Sequence, residues 1–483
     1  MTDFLLVAWM SVLIELTRVQ WMLGLGRSWT PGEKLRLLFA GYNGTRNTGS
    51  DVRVQEMLRQ VRRVLGAGSV DFSVTTFSFD FSKGYFEDAR QVYLPNAFPA
   101  FLYREARKNH GVIACEGSMF KSQFANALTT MTIGALGLAS AENKLSVGYG
   151  GEAAYMDPLI ERMCARYVRD SLVIPRNQES QKILSSLGIL TELGTDTAWT
   201  FEPHPPEYGR RVLREAGWDE KTPILVLCPI HPFHWPVKAS IAKSLARVTT
   251  GAYKRSQYRS LYFFQSGVDV DARLDRYTSA FASATAAFRR RHNVFPILVG
   301  MEHASLDAVV CRRIAEGLPG IPIFASQDYD MFQLVSILRC CSYMVSSRYH
   351  AIVSSMPTLV ASAGVTLDER IRNLMRERGH QHLCLTVDDP DLEPKLIQMM
   401  ESLVAEAGSV RDAIARSVVR NLKVMARMGV FLEQAVRQRY PEFPARTGIL
   451  SWEDYLPPLS ANLRRLAEDY DSFAAVAQKS AVG

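Results

Sequence analysis

Ser346-Ser347-Arg348-Tyr349-His350-Ala351-Ile352-Val353-Ser354-Ser355-Met356-Pro357 follows an apolar run ending in Tyr343-Met344-Val345. The pattern predicts a strand that runs into a polar turn, then a short helix, a proline and a second apolar run from Thr358 to Ser362. It sets a fixed cation, Arg348, two residues from a titratable imidazole, His350, at a strand's C-terminal end. That end is where open α/β sheets bind ligands, and histidine is the side chain best suited to exchange protons near neutral pH. A surface arginine beside a packed histidine would produce the same local pattern, so the remainder of the chain has to decide between them.

At 483 residues the chain is longer than one ordinary domain, and two or three are expected. A hydrophobic fraction of 47% with 22% charged residues describes a globular protein with a sizeable core. The net charge of +7 suits an anionic substrate or membrane surface. No block of Lys and Arg interleaved with aromatics is present, which argues against nucleic acid. The seven cysteines are odd in number, lie mostly within apolar runs and show no C-x-x-C spacing, as in a reduced, cytosolic chain. His231 and His234 are close together, but the two prolines around them oppose a metal-binding helix, and no metal is expected.

The first 32 residues form a segment of their own. Phe4 to Ile14 is apolar apart from Ser11, but Glu15 and Arg18 interrupt it short of the ~20 residues a spanning helix needs. A basic n-region and a small-residue cleavage site are both missing, so a signal peptide is not expected. On a helical wheel Ser11, Glu15 and Arg18 share one stripe amid apolar residues. Such a helix docks on the protein's own core, the favoured reading, or lies peripherally in a membrane interface.

Residues 33–205 alternate strand and helix. Leu35 to Ala40 leads into Gly41-Tyr42-Asn43-Gly44-Thr45-Arg46-Asn47-Thr48-Gly49-Ser50-Asp51 and then an amphipathic helix carrying Val54, Met57, Leu58 and Val61. A strand, glycine-rich turn and helix start expose backbone N–H groups to an anion or a sugar hydroxyl, with Asn47 and Asp51 as side-chain acceptors. An ordinary βα connection with a capped helix reads equally well. Further strand ends fall at Cys115-Glu116-Gly117-Ser118, at Tyr149-Gly150-Gly151-Glu152 and at Pro175-Arg176-Asn177. A linker is expected around Phe201 to Pro206.

A second series over 222–391 runs through Pro223 to Pro229, Ser260 to Phe264, the long helix Asp271 to Arg291, Val294 to Val299 ending in Gly300-Met301-Glu302-His303, Ile321 to Ala325 and the opening stretch. Two doubly wound, Rossmann-like α/β domains facing a cleft are the architecture of the glycosyltransferase-B type. Residues 392–483 are mostly helical and are expected to pack across both domains.

The order of these turns resembles the polysaccharide pyruvyltransferase family. Its G-x-x-G-x-x-N-x-G-D-type loop is matched by Gly41, Gly44, Asn47 and Gly49, with Ser50 where Asp is usual. Cys115-Glu116-Gly117-Ser118 corresponds loosely to its glycine run, and Gly148-Tyr149-Gly150 to its Gly-x-Gly strand end. Arg176, Asn177 and Ser180 resemble its R-D-x-x-S turn, and Asp196-Thr197-Ala198 its D-P-A. Arg348, His350, Ala351 and Pro357 match its R-x-H-A run. The similarity covers about Leu35 to Met375, with the motifs in order.

The resemblance implies transfer of the enolpyruvyl unit of phosphoenolpyruvate onto two hydroxyls of a sugar as a pyruvate ketal, with release of phosphate. His350 would act as general acid or base. Arg348 and Arg176 would hold the donor's carboxylate and phosphate, with Glu302 and His303 as second-rank donor-side candidates. Gly44, Asn47, Asp51 and Glu116 would line the acceptor side. No resident cofactor is implied, because phosphoenolpyruvate is a co-substrate. The expected partners are phosphoenolpyruvate and a sugar or lipid-linked glycan acceptor. Peripheral contact with the inner membrane face and a homo-oligomeric state are compatible with this reading, and cytoplasmic localisation is expected. The competing readings are a nucleotide-sugar-dependent glycosyltransferase of the same architecture and a non-catalytic scaffold of a polysaccharide-assembly machine.

Overall fold

The computed structural model describes residues 2–480 except Arg255, Ser260, Ala304, Ser305, Ala445 and Thr447, with side chains as far as Tyr470. Two parallel sheets organise it. The first contains β1 (Leu35–Asn43), β2 (Val70–Thr76), β3 (Arg90–Tyr93), β4 (Gly111–Ala114), β5 (Leu145–Tyr149), β6 (Leu172–Ile174) and β7 (Leu190–Thr191), in the order β3-β2-β1-β4-β5-β6-β7. The central strands are apolar along their length because helices cover both faces, so burial rather than alternation sets their composition. The order reverses between β1 and β4, and a crevice opens beyond their C-terminal ends.

The second half begins with β8 (Ile224–Cys228), buried at every residue. A small antiparallel sheet of β9 (Lys238–Ala239), β10 (Gln257–Arg259) and β11 (Tyr262–Phe263) follows. Next come β12 (Phe295–Gly300), β13 (Ile323–Ala325), β14 (Tyr343–Ser346), β15 (Ala361–Thr366) and β16 (Cys384–Thr386), which with β8 form a parallel sheet in the order β13-β12-β8-β14-β15-β16. Its reversal falls between β8 and β14, so Arg348 and His350 leave the sheet at that switch point. The run from Ser260 to Phe264, expected in the parallel series, belongs to the small sheet instead, and Ser260 itself lies outside the described residues. Both edges of β8 are already taken by β12 and β14, which leaves a strand that follows β8 so closely no place beside it.

The expected linker is followed by a helix, Pro206–Glu215, which leans on the helix Met331–Arg339 of the second half; the Gly209 N–H donates to Ser336 Oγ at 3.2 Å. The apolar run after Pro357 begins in a 3₁₀ turn, Met356–Thr358, and becomes β15 only at Ala361. The N-terminal helix Thr2–Met22 docks through Val7, Met10 and Ile14 on the helix Asn126–Ala141. Glycines make the close approach feasible: a Cβ at Gly134 would lie 2.6 Å from Met10 Sδ, and one at Gly137 2.9 Å from Ile14 Cδ1. In the C-terminal extension the helix Ala407–Arg439 touches both halves. Its Met425 carbonyl accepts from Gln60 Nε2 at 2.7 Å in the first half, and its Arg411 guanidinium lies over the Tyr343 ring in the second. No helix among the described residues is long and apolar enough to cross a membrane.

Candidate active site at the interdomain cleft

The two switch points face one another across a cavity of about 560 Å³. The first half contributes the loop after β1 and the turn after β4, and the second contributes the ends of β12 and β14. The halves are tied around the cavity: the Thr48 N–H donates to the Met301 carbonyl at 2.8 Å, and the Val237 N–H to the Phe124 carbonyl at 2.9 Å. Lys121, fully buried, bridges Glu152 of its own half at 3.2 Å and Glu369 of the other at 3.2 Å.

His350 is the second residue of a seven-residue helix, Tyr349–Ser355, that follows β14 after Ser347 and Arg348, and its imidazole crosses to the first half. Nε2 lies 3.2 Å from Asp196 Oδ2, while the Nδ1 side rests on Gly49, where a Cβ would come within 2.4 Å. Only glycine leaves room for the ring at that point of the helix Thr48–Leu65. Burial pulls the His350 pKa down to about 4, helped by Arg176 and Arg53 and opposed by Asp196. The imidazole is therefore neutral at pH 7, with a carboxylate ready to stabilise its protonated form.

Asp196 is the hub of the cluster and is fully buried. Its Oδ2 accepts from Arg176 Nη1 at 2.7 Å and lies 3.1 Å from Arg53 Nε. Burial would raise its pKa, but Arg53, His350 and Arg176 together hold it far below the usual carboxylate range. Arg53 also donates to the carbonyls of Cys115 and Gly150, at 3.2 and 2.8 Å, and so fixes the two turns that border the site. Arg176 pairs with Glu152 at 3.0 Å and lies over the Tyr349 ring; its buried Nη2 has no hydrogen-bond partner. Burial would raise the Glu152 carboxyl, but Arg176 and Lys121 hold it at about 2.

Arg348 turns to the second half. Its Nε donates to Asp307 Oδ2 at 2.8 Å, and Nη2 donates to Asp307 Oδ1 and Glu302 Oε2. Burial disfavours its charge, but the two carboxylates more than offset this and keep it protonated throughout the accessible range. Its side chain is 16% exposed and borders the cavity with Glu302 and Arg370.

Of the residues expected from sequence, His350, Arg348, Arg176, Glu302, Asn47 and Glu116 line the cavity. Glu116 Oε2 accepts from the Tyr42 N–H at 3.2 Å and Oε1 from the Gly117 N–H at 2.9 Å. Asn47 caps its helix, Oδ1 accepting from the Ser50 N–H at 3.3 Å. Gly44, Asp51 and His303 are not among the lining residues. Gly44 takes a left-handed φ of +68° and donates its N–H to Asp51 Oδ1 at 3.1 Å, so this pair shapes the loop from behind. Burial pushes the Asp51 carboxyl up to about 7. His303 packs against Phe81.

Asp307, Lys121, Arg53 and Arg370 were not anticipated. A charged residue between Val52 and Val54 on an otherwise buried helix was the available signal for Arg53, whereas nothing local marks Lys121, Asp307 or Arg370. His231 and His234 stack at 4.1 Å and burial lowers both, to about 4 and about 2. Among the described residues no group of three or more His, Cys, Asp or Glu could hold a metal.

Comparison with solved structures agrees with the topology. A protein assigned as UDP-N-acetylglucosamine 2-epimerase from Listeria monocytogenes superposes with a TM-score of 0.50 at 11% identity, covering 83% of this chain and 97% of its own. A UDP-glucosyltransferase from Polygonum tinctorium gives 0.48 at 8% identity, covering 87% and 100%. The first likeness is one of fold, the two-domain glycosyltransferase-B-like arrangement, and carries no substrate with it. No curated protein sequence matches the chain. The sequence model of the polysaccharide pyruvyl transferase family matches residues 47–358, from the loop after β1 to the turn after His350. Of the turns that resembled this family, those of Asn47 and Gly49, Glu116 to Ser118, Arg176, and Arg348 to His350 line the cavity, and the chain belongs to the polysaccharide pyruvyl transferase family.

Proposed function

We propose that the chain takes its pyruvyl group from phosphoenolpyruvate and joins it to two hydroxyls of a glycan acceptor as a cyclic ketal. The observation that carries this reading is the convergence of Arg348, Arg176 and the His350–Asp196 pair on one cavity, within a family of pyruvyl transferases. A guanidinium fork suits both the carboxylate and the phosphate of the donor, and the unpaired Arg176 Nη2 is a donor in search of an anion.

In this mechanism C3 of phosphoenolpyruvate takes a proton and its double bond becomes a methyl group. The first acceptor hydroxyl oxygen bonds to C2, the C2–O bond to phosphorus-bearing oxygen breaks with its electron pair, and the second hydroxyl oxygen bonds to C2. Of the two hydroxyl protons, one balances the proton delivered to C3 and the other leaves with phosphate. With its Nε2–H donated to Asp196, neutral His350 receives a hydroxyl proton at Nδ1, the nitrogen on the Gly49 side, and Asp196 stabilises the imidazolium so formed until it gives the proton up. Trp235, Tyr258 and Phe124 offer aromatic faces to the acceptor sugar, beside Asn47 and Glu116.

A thermal-shift titration with phosphoenolpyruvate beside nucleotide sugars tests the donor without knowledge of the acceptor. A ligand at ~100 times its dissociation constant adds about 2.7 kcal/mol to the folded state. Stabilisation by phosphoenolpyruvate alone, lost in Arg176→Lys and Arg348→Ala, is expected. Stabilisation by a nucleotide sugar instead would overturn the reading in favour of glycosyl transfer.

A further inference from the structure

The cavity has two chemically distinct ends. Away from His350, Arg176 and Arg348 its wall is largely apolar, built from Leu6, Phe98, Leu128 and Met131, with the Arg259–Asn96 pair also lining it. Four further residues border the cavity and solvent at once: Leu5, Trp9, Ile241 and Leu261, which are 56%, 44%, 52% and 38% exposed. Two exposed apolar surfaces lead away from this rim.

On the helix Thr2–Met22, Leu5, Trp9, Val12, Leu16 and Val19 fall within roughly 80° of one another at ~100° per residue. This stripe is opposite Val7, Met10 and Ile14, the face that docks on the protein. On the helix Ile241–Thr250, Ile241, Leu245 and Val248 are exposed at i, i+4 and i+7. Exposed apolar side chains from distant parts of the chain thus border one opening, and exposed apolar surface gathered in this way marks an interaction site.

We propose that this face docks on a lipid bilayer, with the helix Thr2–Met22 lying in the interface, so that the cavity opens towards the hydrocarbon boundary. The glycan acceptor then reaches the site as the headgroup of an amphiphile whose alkyl portion occupies the apolar end. The statement about the acceptor rests on the pyruvyl-transfer reading; the docking does not. The helix is too interrupted by Ser11, Glu15 and Arg18 to span a membrane, yet it is held on the protein by one face and leaves an apolar stripe with Trp9 exposed on the other, where an amphipathic indole suits the bilayer boundary. A second copy seated on the same face would cover Leu5, Trp9, Ile241 and Leu261 and block the opening. A bilayer covers the face and supplies the substrate through it.

The test is co-sedimentation of the full chain with vesicles of phosphatidylcholine and phosphatidylglycerol, beside size-exclusion chromatography without lipid. The wild type is expected to sediment, with binding that persists as salt is raised. The Val12→Asp/Leu16→Asp variant, altered only outside the cavity, should lower the partition by about tenfold or more, given the apolar area it removes. Its melting temperature and its response to phosphoenolpyruvate should match the wild type. Should it fail to fold, Leu245→Asp/Val248→Asp makes the same test on the other helix. Wild-type protein that stays in the supernatant, or a dimer that these substitutions split, would overturn the proposal. Sedimentation without any response to phosphoenolpyruvate would leave the docking intact and count against the pyruvyl-transfer reading alone.

Discussion

Replacing Asp196 by Asn keeps the side chain's shape and its Oδ1, which accepts the Ala198 N–H at 3.0 Å. It removes the charge on Oδ2 that faces Arg176 at 2.7 Å and Arg53 at 3.1 Å, both buried, and His350 at 3.2 Å at the edge of the cavity. Breaking a buried ion pair costs about 3–5 kcal/mol, because the partner's charge stays buried without compensation. One carboxylate here serves two guanidiniums, so the upper part of that range, about 4–5 kcal/mol, is expected. Set against a total stability of about 5–15 kcal/mol, that is a third or more of what holds the fold. Urea denaturation at pH 7, followed by tryptophan fluorescence, measures it as a lower midpoint at unchanged slope. Arg166→Ala, which breaks an exposed pair with Glu15 and a contact with the Tyr167 ring, is the control and should shift stability by less than about 1 kcal/mol. Adding Arg53→Met to Asp196→Asn should recover part of the loss, since among the described residues Arg53 pairs with no other carboxylate whereas Arg176 keeps Glu152 at 3.0 Å. A loss for Asp196→Asn below about 1 kcal/mol would refute the hub.

Gly49→Ala would place a methyl group 2.4 Å from His350 Nδ1 and force the ring aside by about 1 Å, a displacement that costs on the order of a hundredfold in turnover. Phosphate release from phosphoenolpyruvate in the presence of acceptor measures it, and activity within a few-fold of wild type would remove His350 from the reaction. Asp51 tests the loop from behind. Its pKa is raised to about 7, so between the ordinary 3.8 and 7 the unfolded chain has lost a proton that the native state keeps, and stability falls as pH rises through that window. Asp51→Asn should therefore be more stable than wild type by ~1–3 kcal/mol at pH 8, with the advantage gone near pH 3.5. Its response to phosphoenolpyruvate should be unchanged, and a lost response would show that Asp51 serves the site directly.

The fold was legible because parallel strands covered on both faces are written as short apolar runs, each ending in glycine or polar residues, and the helices between them carry their own caps. Asn47 and Asn177 both cap helices as a residue of that type before a helix suggests. The small antiparallel sheet was not legible. Tyr262–Phe263 has the composition of a buried parallel strand, and only the occupied edges of β8 exclude it. Within the site, Arg348 and His350 stood out because the two residue types occur together at a strand end. Which residues they pair with did not, since Asp307 lies 41 residues from Arg348 and Asp196 154 residues from His350. Asp51 and Gly44 looked like acceptor residues from their position in a glycine-rich loop, and the direction in which that loop folds turns them away from the cavity.

By itself the sequence determined two doubly wound sheets, the strand ends that carry polar chemistry and the apolar N-terminal helix, because these depend on local pattern and on which residues must be buried. Tertiary structure decided which charges compensate which, that His350 crosses the cleft to Asp196 over Gly49, and that one face of the N-terminal helix docks while the other stays exposed beside the cavity. Those outcomes depend on distances between segments far apart in the chain, and a one-dimensional pattern carries no measure of such distances.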